Sequence, residues 1–138
     1  METGSAAAIV NRYLNIMLVE NNHGSGLENI LSEDFVFDDP FGKASSAREF
    51  IDYSQRWIAT PKSFRMQRQL LEGNVVVSMY TIDVVTPSGA GASFEVVDVV
   101  ELRAGKIAKE KVFFANPVKF AKDMGFASEY LKQFQLKD

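Results

Sequence analysis

Apolar residues recur at helical spacing in the first part of the chain and at every second position in much of the rest. Between residues 6 and 21, Ile9, Tyr13 and Met17 form one i, i+4 row, and Val10, Leu14 and Leu18 form the row beside it. That stripe predicts an amphipathic helix. The glycines of NNHGSG (21–26) end it. LENILSE reads as a short helix and FVFDDP as a first strand. SSAREFIDYSQRWIA (45–59) reads as a second amphipathic helix, with Ser45 or Ser46 as N-cap and Arg48 and Glu49 in its first turns. Thr60-Pro61 stops it, because the residue before a proline is pushed out of the helical region.

From there the period falls to two. SFRMQRQLLEG, NVVVSMYTIDVVT, ASFEVVDVVELR and KIAKEKVFFAN predict four strands. Turn chemistry separates them at Gly73-Asn74, at PSGAG (87–91) and at Ala104-Gly105, so they form an antiparallel meander. Asn116-Pro117 has the form of an N-cap followed by proline at the first helical position. One or two helices, broken near Gly125, then fill the end of the chain. Helices first and a meander afterwards predict an α+β class, with helices on one face of a curved sheet.

Composition narrows the partners. The 138 residues suit a single domain, and 46% hydrophobic content supports a full core without staples. The chain has no cysteine, which removes disulfides, thiolate chemistry and cysteine-zinc sites. A net charge of −3 argues against nucleic acid or an anionic membrane as partner. No apolar run approaches the roughly 20 residues of a membrane span. METGSAAAIV lacks the basic region and long apolar core of a secretory signal. The expectation is a soluble, cytoplasmic protein.

Strand parity then singles out two carboxylates. In FVFDDPFG, Phe35, Phe37 and Asp39 point one way and Asp38 the other, the wetter one. In FEVVDVVELR, the face of Phe94, Val96, Val100 and Leu102 carries Asp98 alone in its middle, while the opposite face holds Glu95, Glu101 and Arg103. A carboxylate on an apolar face must pair, hydrogen-bond or take up a proton. A structural role in register competes with acid–base work for such a residue. Two of them facing one cavity favour the second. Tyr13, in the apolar row of the first helix, needs a partner for its hydroxyl. Phe35, Phe37, Phe41, Trp57, Phe94, Val96, Val100 and Phe114 are the expected pocket wall. His23 reads as a loop residue and no metal site. Lys106, Lys109 and Lys111 read as a solvated or interfacial sheet face. SGAG (88–91) lacks the spacing of a phosphate loop. No cofactor or metal motif is present.

The order of a helix tyrosine, a strand-end Asp-Pro, a second helix and a late strand aspartate resembles the ketosteroid isomerase branch of the nuclear transport factor 2-like superfamily. The residues that carry it are Asn11-Arg12-Tyr13, Asp39-Pro40-Phe41-Gly42, Arg48-Glu49-Phe50 and Val97-Asp98, over residues 6 to 116. The resemblance implies a cone-shaped sheet wrapped around the N-terminal helices, an internal apolar pocket, a small hydrophobic ligand and a homodimer. It implies Asp39 as general base, with Tyr13 and a protonated Asp98 donating hydrogen bonds to a dienolate oxygen. A carboxylic acid kept neutral in this way is a worked precedent for that enzyme family. Three features depart from the pattern. Ile51 stands where the isomerases carry a supporting tyrosine, and Tyr53, two residues on, would face elsewhere. The loop NNHGSG is longer. The extension 117–138, with Phe120, Met124, Phe126, Tyr130, Leu131 and Phe134, would lid the pocket or widen a dimer interface, as would a sheet face bearing Val97, Val99 and Val112.

Three other readings remain. A polyketide cyclase of the same superfamily also abstracts a proton beside a carbonyl, and Asp39 or Asp98 alone would serve. An epoxide hydrolase resembling limonene-epoxide hydrolase needs an Asp-Arg-Asp set around a water. Asp83 is preceded two positions earlier by Thr81, and Val112 stands where the other acid would fall, so this reading is disfavoured. A non-catalytic ligand-binding protein would use the same residues as a polar spot in its pocket.

Overall fold

The computed structural model describes residues 3–20, 22–126 and 131–132. Helix α1 (Thr3–Leu18) and the single turn α2 (Leu27–Ile30) precede strand β1 (Leu31–Asp39) and the short β2 (Gly42–Ala44). Helix α3 (Ala47–Ala59) leads into β3 (Lys62–Glu72), β4 (Val75–Val85), β5 (Gly91–Arg103) and β6 (Lys106–Phe114), and α4 (Pro117–Met124) follows. The sheet order is β2-β1-β6-β5-β4-β3. The four long strands form the expected antiparallel meander, and β1 lies parallel to β6.

Sequence chemistry explains most boundaries. Ser46 caps α3, its hydroxyl accepting from the Glu49 amide at 3.1 Å. Asn116 caps α4 in the same way, with Pro117 at its start. Gly125 closes α4 in the left-handed region at φ 70°, where a side chain would be strained. Two expectations change. LENILSE is helical only to Ile30, because Leu31 already pairs with Ile107 of β6 and is buried. FVFDDP is a strand only to Asp39: the chain turns through Pro40-Phe41 and pairs back, Asp39 against Gly42, as a hairpin.

The core lies between the inner face of the open sheet and the helices. Helix α1 packs over β3, β4 and β6, α3 over β1 and β2, and α4 against β6. Phe50 of α3 sits at its centre, fully buried, 4.7 Å from the Phe37 ring and 5.1 Å from that of Phe35. Burying such a ring contributes about 2–3 kcal/mol. Phe35 and Val100, expected in the pocket wall, belong to this core, and Phe94 packs edge-on against Phe120 of α4. They support the wall from behind and do not form it.

The outer face of the sheet carries Lys109, Lys111, Glu95 and Glu101 with half-buried Val97 and Val99 and an exposed Phe113. Val112 does not join them. It pairs with Asp98 and points inward with it. Among the described residues no helix is long and apolar enough to cross a membrane. Tyr130 and Phe134 of the expected lid lie outside the described residues.

Candidate active site

The inner face of four strands and two helix faces enclose a cavity of about 300 Å³. Parity delivers its polar residues. On β5, Val96 and Asp98 face in; on β4, Tyr80 and Ile82 face in; on β6, Glu110, Val112 and Phe114 face in. On β1, Phe37 lies beside Glu110, and Asp39 follows it on the same face at the strand end. Helix α1 adds Tyr13, and α3 adds Phe50, Tyr53, Ser54 and Trp57, an i, i+3, i+4, i+7 stripe. Phe120 and Phe126 close the side nearest α4. Tyr13, Asp39, Asp98, Phe37, Phe41, Trp57, Val96 and Phe114 therefore all line one cavity.

Asp39 is half-buried in the hairpin turn. Its Oδ1 accepts from the amides of Phe41 (2.9 Å) and Gly42 (2.8 Å) and, at 3.5 Å, from the Tyr53 hydroxyl. Burial pushes its carboxyl up to about 6, and the two amides hold it from rising further. All three donors reach one oxygen, so Oδ2 is left to take a proton. Tyr53 corrects the expectation that it would face away: the α3 stripe that buries Phe50 brings Tyr53 to the cavity one turn later. Gly42 permits this approach, since a Cβ there would lie 2.7 Å from the Tyr53 hydroxyl oxygen.

Asp98 is buried, with 1% of its surface exposed, and Tyr80 donates to its Oδ2 at 3.1 Å. Burial raises its carboxyl to about 6, while hydrogen bonds from Glu110 and Tyr80 oppose the rise. Tyr13 was expected beside Asp98. Its ring is buried and it senses the Asp98 charge, but its hydroxyl donates to Glu110. Glu110 is buried at 5% exposure, and burial and then the charge of Asp98 push it well above its ordinary value. Burial, reinforced by these carboxylates, also raises the Tyr13 and Tyr80 phenols well above theirs, so both remain donors.

Glu110 and Tyr80 were not foreseen. For Glu110 the signal was present: in K-E-K-V-F-F the lysines at 109 and 111 mark the outer face, which leaves Glu110 on the inner one with Val112 and Phe114. Arg56 is the only cation in the cavity wall among the described residues, and it is engaged by the Gly125 carbonyl at 3.3 Å and the Phe126 ring. Among the described residues no cluster of three histidine, aspartate or glutamate side chains is arranged to hold a metal.

The family model for the SnoaL-like domain matches residues 10–110. No curated protein matches the chain. Among solved structures it is similar to an NTF2-like protein of unknown function from Cytophaga hutchinsonii ATCC 33406. The TM-score is 0.66 at 18% identity, over 83% of this chain and 94% of that one. An LEH-like epoxide hydrolase of M. tuberculosis gives a TM-score of 0.70 at 20% identity, over 89% and 84%. A putative SnoaL-like polyketide cyclase from Jannaschia sp. CCS1 gives 0.69 at 14% identity, over 90% and 94%. Identities this low carry the fold and not the chemistry.

Proposed function

We propose, for a chain that belongs to the SnoaL-like domain family, that it is an acid–base enzyme moving a proton next to the carbonyl of a small, neutral, hydrophobic molecule. The observation that carries this reading is one apolar cavity holding Asp39, a carboxylate with a pKa of about 6, together with buried phenol and carboxyl groups that retain protons. A base with that value is largely ionised at neutral pH yet basic enough to take a proton from carbon. Asp39 Oδ2 takes the C–H proton, and the electron pair of that bond moves to the carbonyl oxygen. Tyr13 and the Asp98–Glu110 pair, which keeps a proton on Glu110, stabilise the developing oxyanion where water is excluded. Asp39 then returns the proton to another carbon, which is isomerisation.

The enolate has a second fate. Attack on another carbonyl of the same molecule is an aldol closure, and the likeness to the putative polyketide cyclase from Jannaschia favours keeping it. Both reactions share the abstraction step. No cofactor is needed for either. The epoxide-hydrolase reading stays weaker despite the fold likeness, because Asp83 stands on the outer face with Arg65. The outer sheet face around Val97, Val99 and Phe113 fits a second copy of the chain, a proposal that light scattering tests.

The first experiment mixes the protein with a β,γ-unsaturated 3-ketosteroid and follows the ultraviolet absorbance of the conjugated product. In parallel, a panel of small ketones is monitored for exchange of the protons beside the carbonyl with solvent deuterium. Turnover or exchange that disappears in Asp39→Asn supports the reading. Tight ketone binding with no exchange would replace it with a ligand-binding role.

A further inference from the structure

Glu110 and Asp98 are neighbours on adjacent strands, both facing the cavity and both buried. The hydrogen bonds around them have a direction. Tyr13 donates to Glu110 Oε1, and Tyr80 donates to Asp98 Oδ2. The two carboxyls act on each other: burial and then the charge of Asp98 push the Glu110 carboxyl well above its ordinary value. Two carboxylates cannot hydrogen-bond to each other, because each only accepts; a bond between them needs a proton on one. Asp98 Oδ1 is buried and has no hydrogen-bond partner among the described residues. A proton on Glu110 supplies the missing bond and completes a chain from Tyr13 through Glu110 to Asp98, with Tyr80 closing the other end.

Among the described residues, the elements packed on the pair face it with phenol, acid and apolar groups. Helix α1 presents Tyr13, β1 presents Asp39, β4 presents Tyr80, and α3 presents Phe50 and Tyr53. Arg56 is held toward Gly125 and Phe126. Two carboxyls side by side in an apolar wall, with Arg56 of that wall engaged elsewhere, do not both ionise.

We propose that Glu110 and Asp98 form a carboxyl dyad sharing one proton, and that this dyad, set between Tyr13 and Tyr80, is the acid that meets the oxygen of a neutral carbonyl ligand. The ligand part rests on the reaction proposed above; the shared proton does not. Glu110 acts through Asp98 as a positioning residue: it keeps a proton in the pair while Asp39 is ionised. In the reaction the C–H bond breaks, Asp39 gains the proton, and the carbonyl oxygen gains the electron pair. The dyad proton swings from the bond between the two acids into a hydrogen bond with that oxygen, and returns to the dyad when the second carbon is protonated. A wall with this much acid repels anions, so a ketone is accepted and the matching carboxylic acid is not.

Infrared spectroscopy of the wild-type protein at neutral pH tests the shared proton without any substrate. A protonated-carboxyl C=O band is expected, persisting to a pH where solvated carboxyls have all ionised. Asp98→Asn should lower the pH at which the band disappears, because it removes the charge that keeps the proton on Glu110. Glu110→Gln should abolish the band and raise Tm at alkaline pH, as a buried acid that resists ionisation is gone. The absence of the band in wild type, or an unchanged midpoint in Asp98→Asn, would overturn the dyad; both readings survive a failure of Glu110→Gln to fold. In the ketone exchange assay, Glu110→Gln should lower kcat far more than it alters KM and move the alkaline limb of the pH profile downward. An intact band with no exchange of any ketone would overturn the ligand role, and with it the proposed reaction, while the dyad stands.

Discussion

Asp83 and Asp98 stand on adjacent strands of one sheet and face opposite ways. Asp83, on the outer face, is gripped by Arg65 through two bonds of 2.8 and 3.1 Å and by the Ser93 hydroxyl at 2.6 Å. Those hydrogen bonds, with the guanidinium charge, bring its carboxyl down to about 2. Asp98, on the inner face, has a phenol and another acid for company, and burial lifts it to about 6. The side chain is the same, and its neighbours assign the role. A carboxylate given a cation in water becomes a surface tether that holds its charge at all ordinary pH. One buried without a cation becomes a group that exchanges a proton near neutrality.

That contrast can be broken most forcefully by function. Asp39→Asn and Asp98→Asn are each expected to lower ketone turnover about 10²–10⁴-fold, the usual worth of a positioned acid or base. Asp83→Asn should leave turnover unchanged. Equal losses from all three would show that general destabilisation, not inner-face chemistry, controls the rate.

The next effect is on stability against pH. Asp39 ionises at an ordinary 3.8 when unfolded and at about 6 when folded. Between those values the folded protein binds more protons than the unfolded chain, so stability falls as pH rises through this window. Raised groups on the inner face add to the slope. Asp83 has the opposite sign: its contribution is lost as pH falls from about 4 toward 2. For Asp39 the loss on raising pH amounts to about 1–3 kcal/mol. Urea unfolding at pH 4.5 and pH 7.5 should show a decline in wild type that Asp39→Asn reduces.

Tyr80→Phe sharpens the comparison by removing a donor that restrains Asp98. The aspartate should then titrate higher still. The variant should lose about 1–3 kcal/mol at alkaline pH, where a buried anion is left short of a partner, and less at pH 5. Arg65→Ala, the smallest change, should let Asp83 titrate closer to an ordinary aspartate while leaving the cavity groups and the melting temperature nearly untouched, as expected for an exposed ion pair.

The sequence made this contrast visible only in part. Period-two alternation identified the inner faces of β1 and β5, so Asp39 and Asp98 were legible from parity alone, and Tyr13 from its helical row. The meander and both helix caps followed from local chemistry. Glu110 was hidden by a bulge. Opposite β6, the pairing shifts between Glu101 and Leu102, so Ile107 and Ala108 are both buried although they are consecutive. Counting every second residue from Ile107 gives Lys109 and Lys111, the wrong face. Counting back from Phe114 gives Val112 and Glu110, the right one. Val112 shares the parity of Phe114 and opposes that of Lys109 and Lys111, so the expectation that placed it among the outer valines ran against the local alternation. Tyr53 was hidden differently: alignment with a family pattern pointed to position 51, whereas the apolar stripe of α3 itself placed 53 with Phe50 and Trp57. The short β2 hairpin had no signal beyond Gly42, since three residues are too few to show alternation.

The most direct test of the central claim is a ¹³C nuclear magnetic resonance titration of the aspartate side-chain carboxyls in the wild-type protein. The account predicts that Asp83 remains ionised down to about pH 2 while Asp39 and Asp98 titrate near 6. Inner-face aspartates that ionise at ordinary values, indistinguishable from solvated ones, would contradict it.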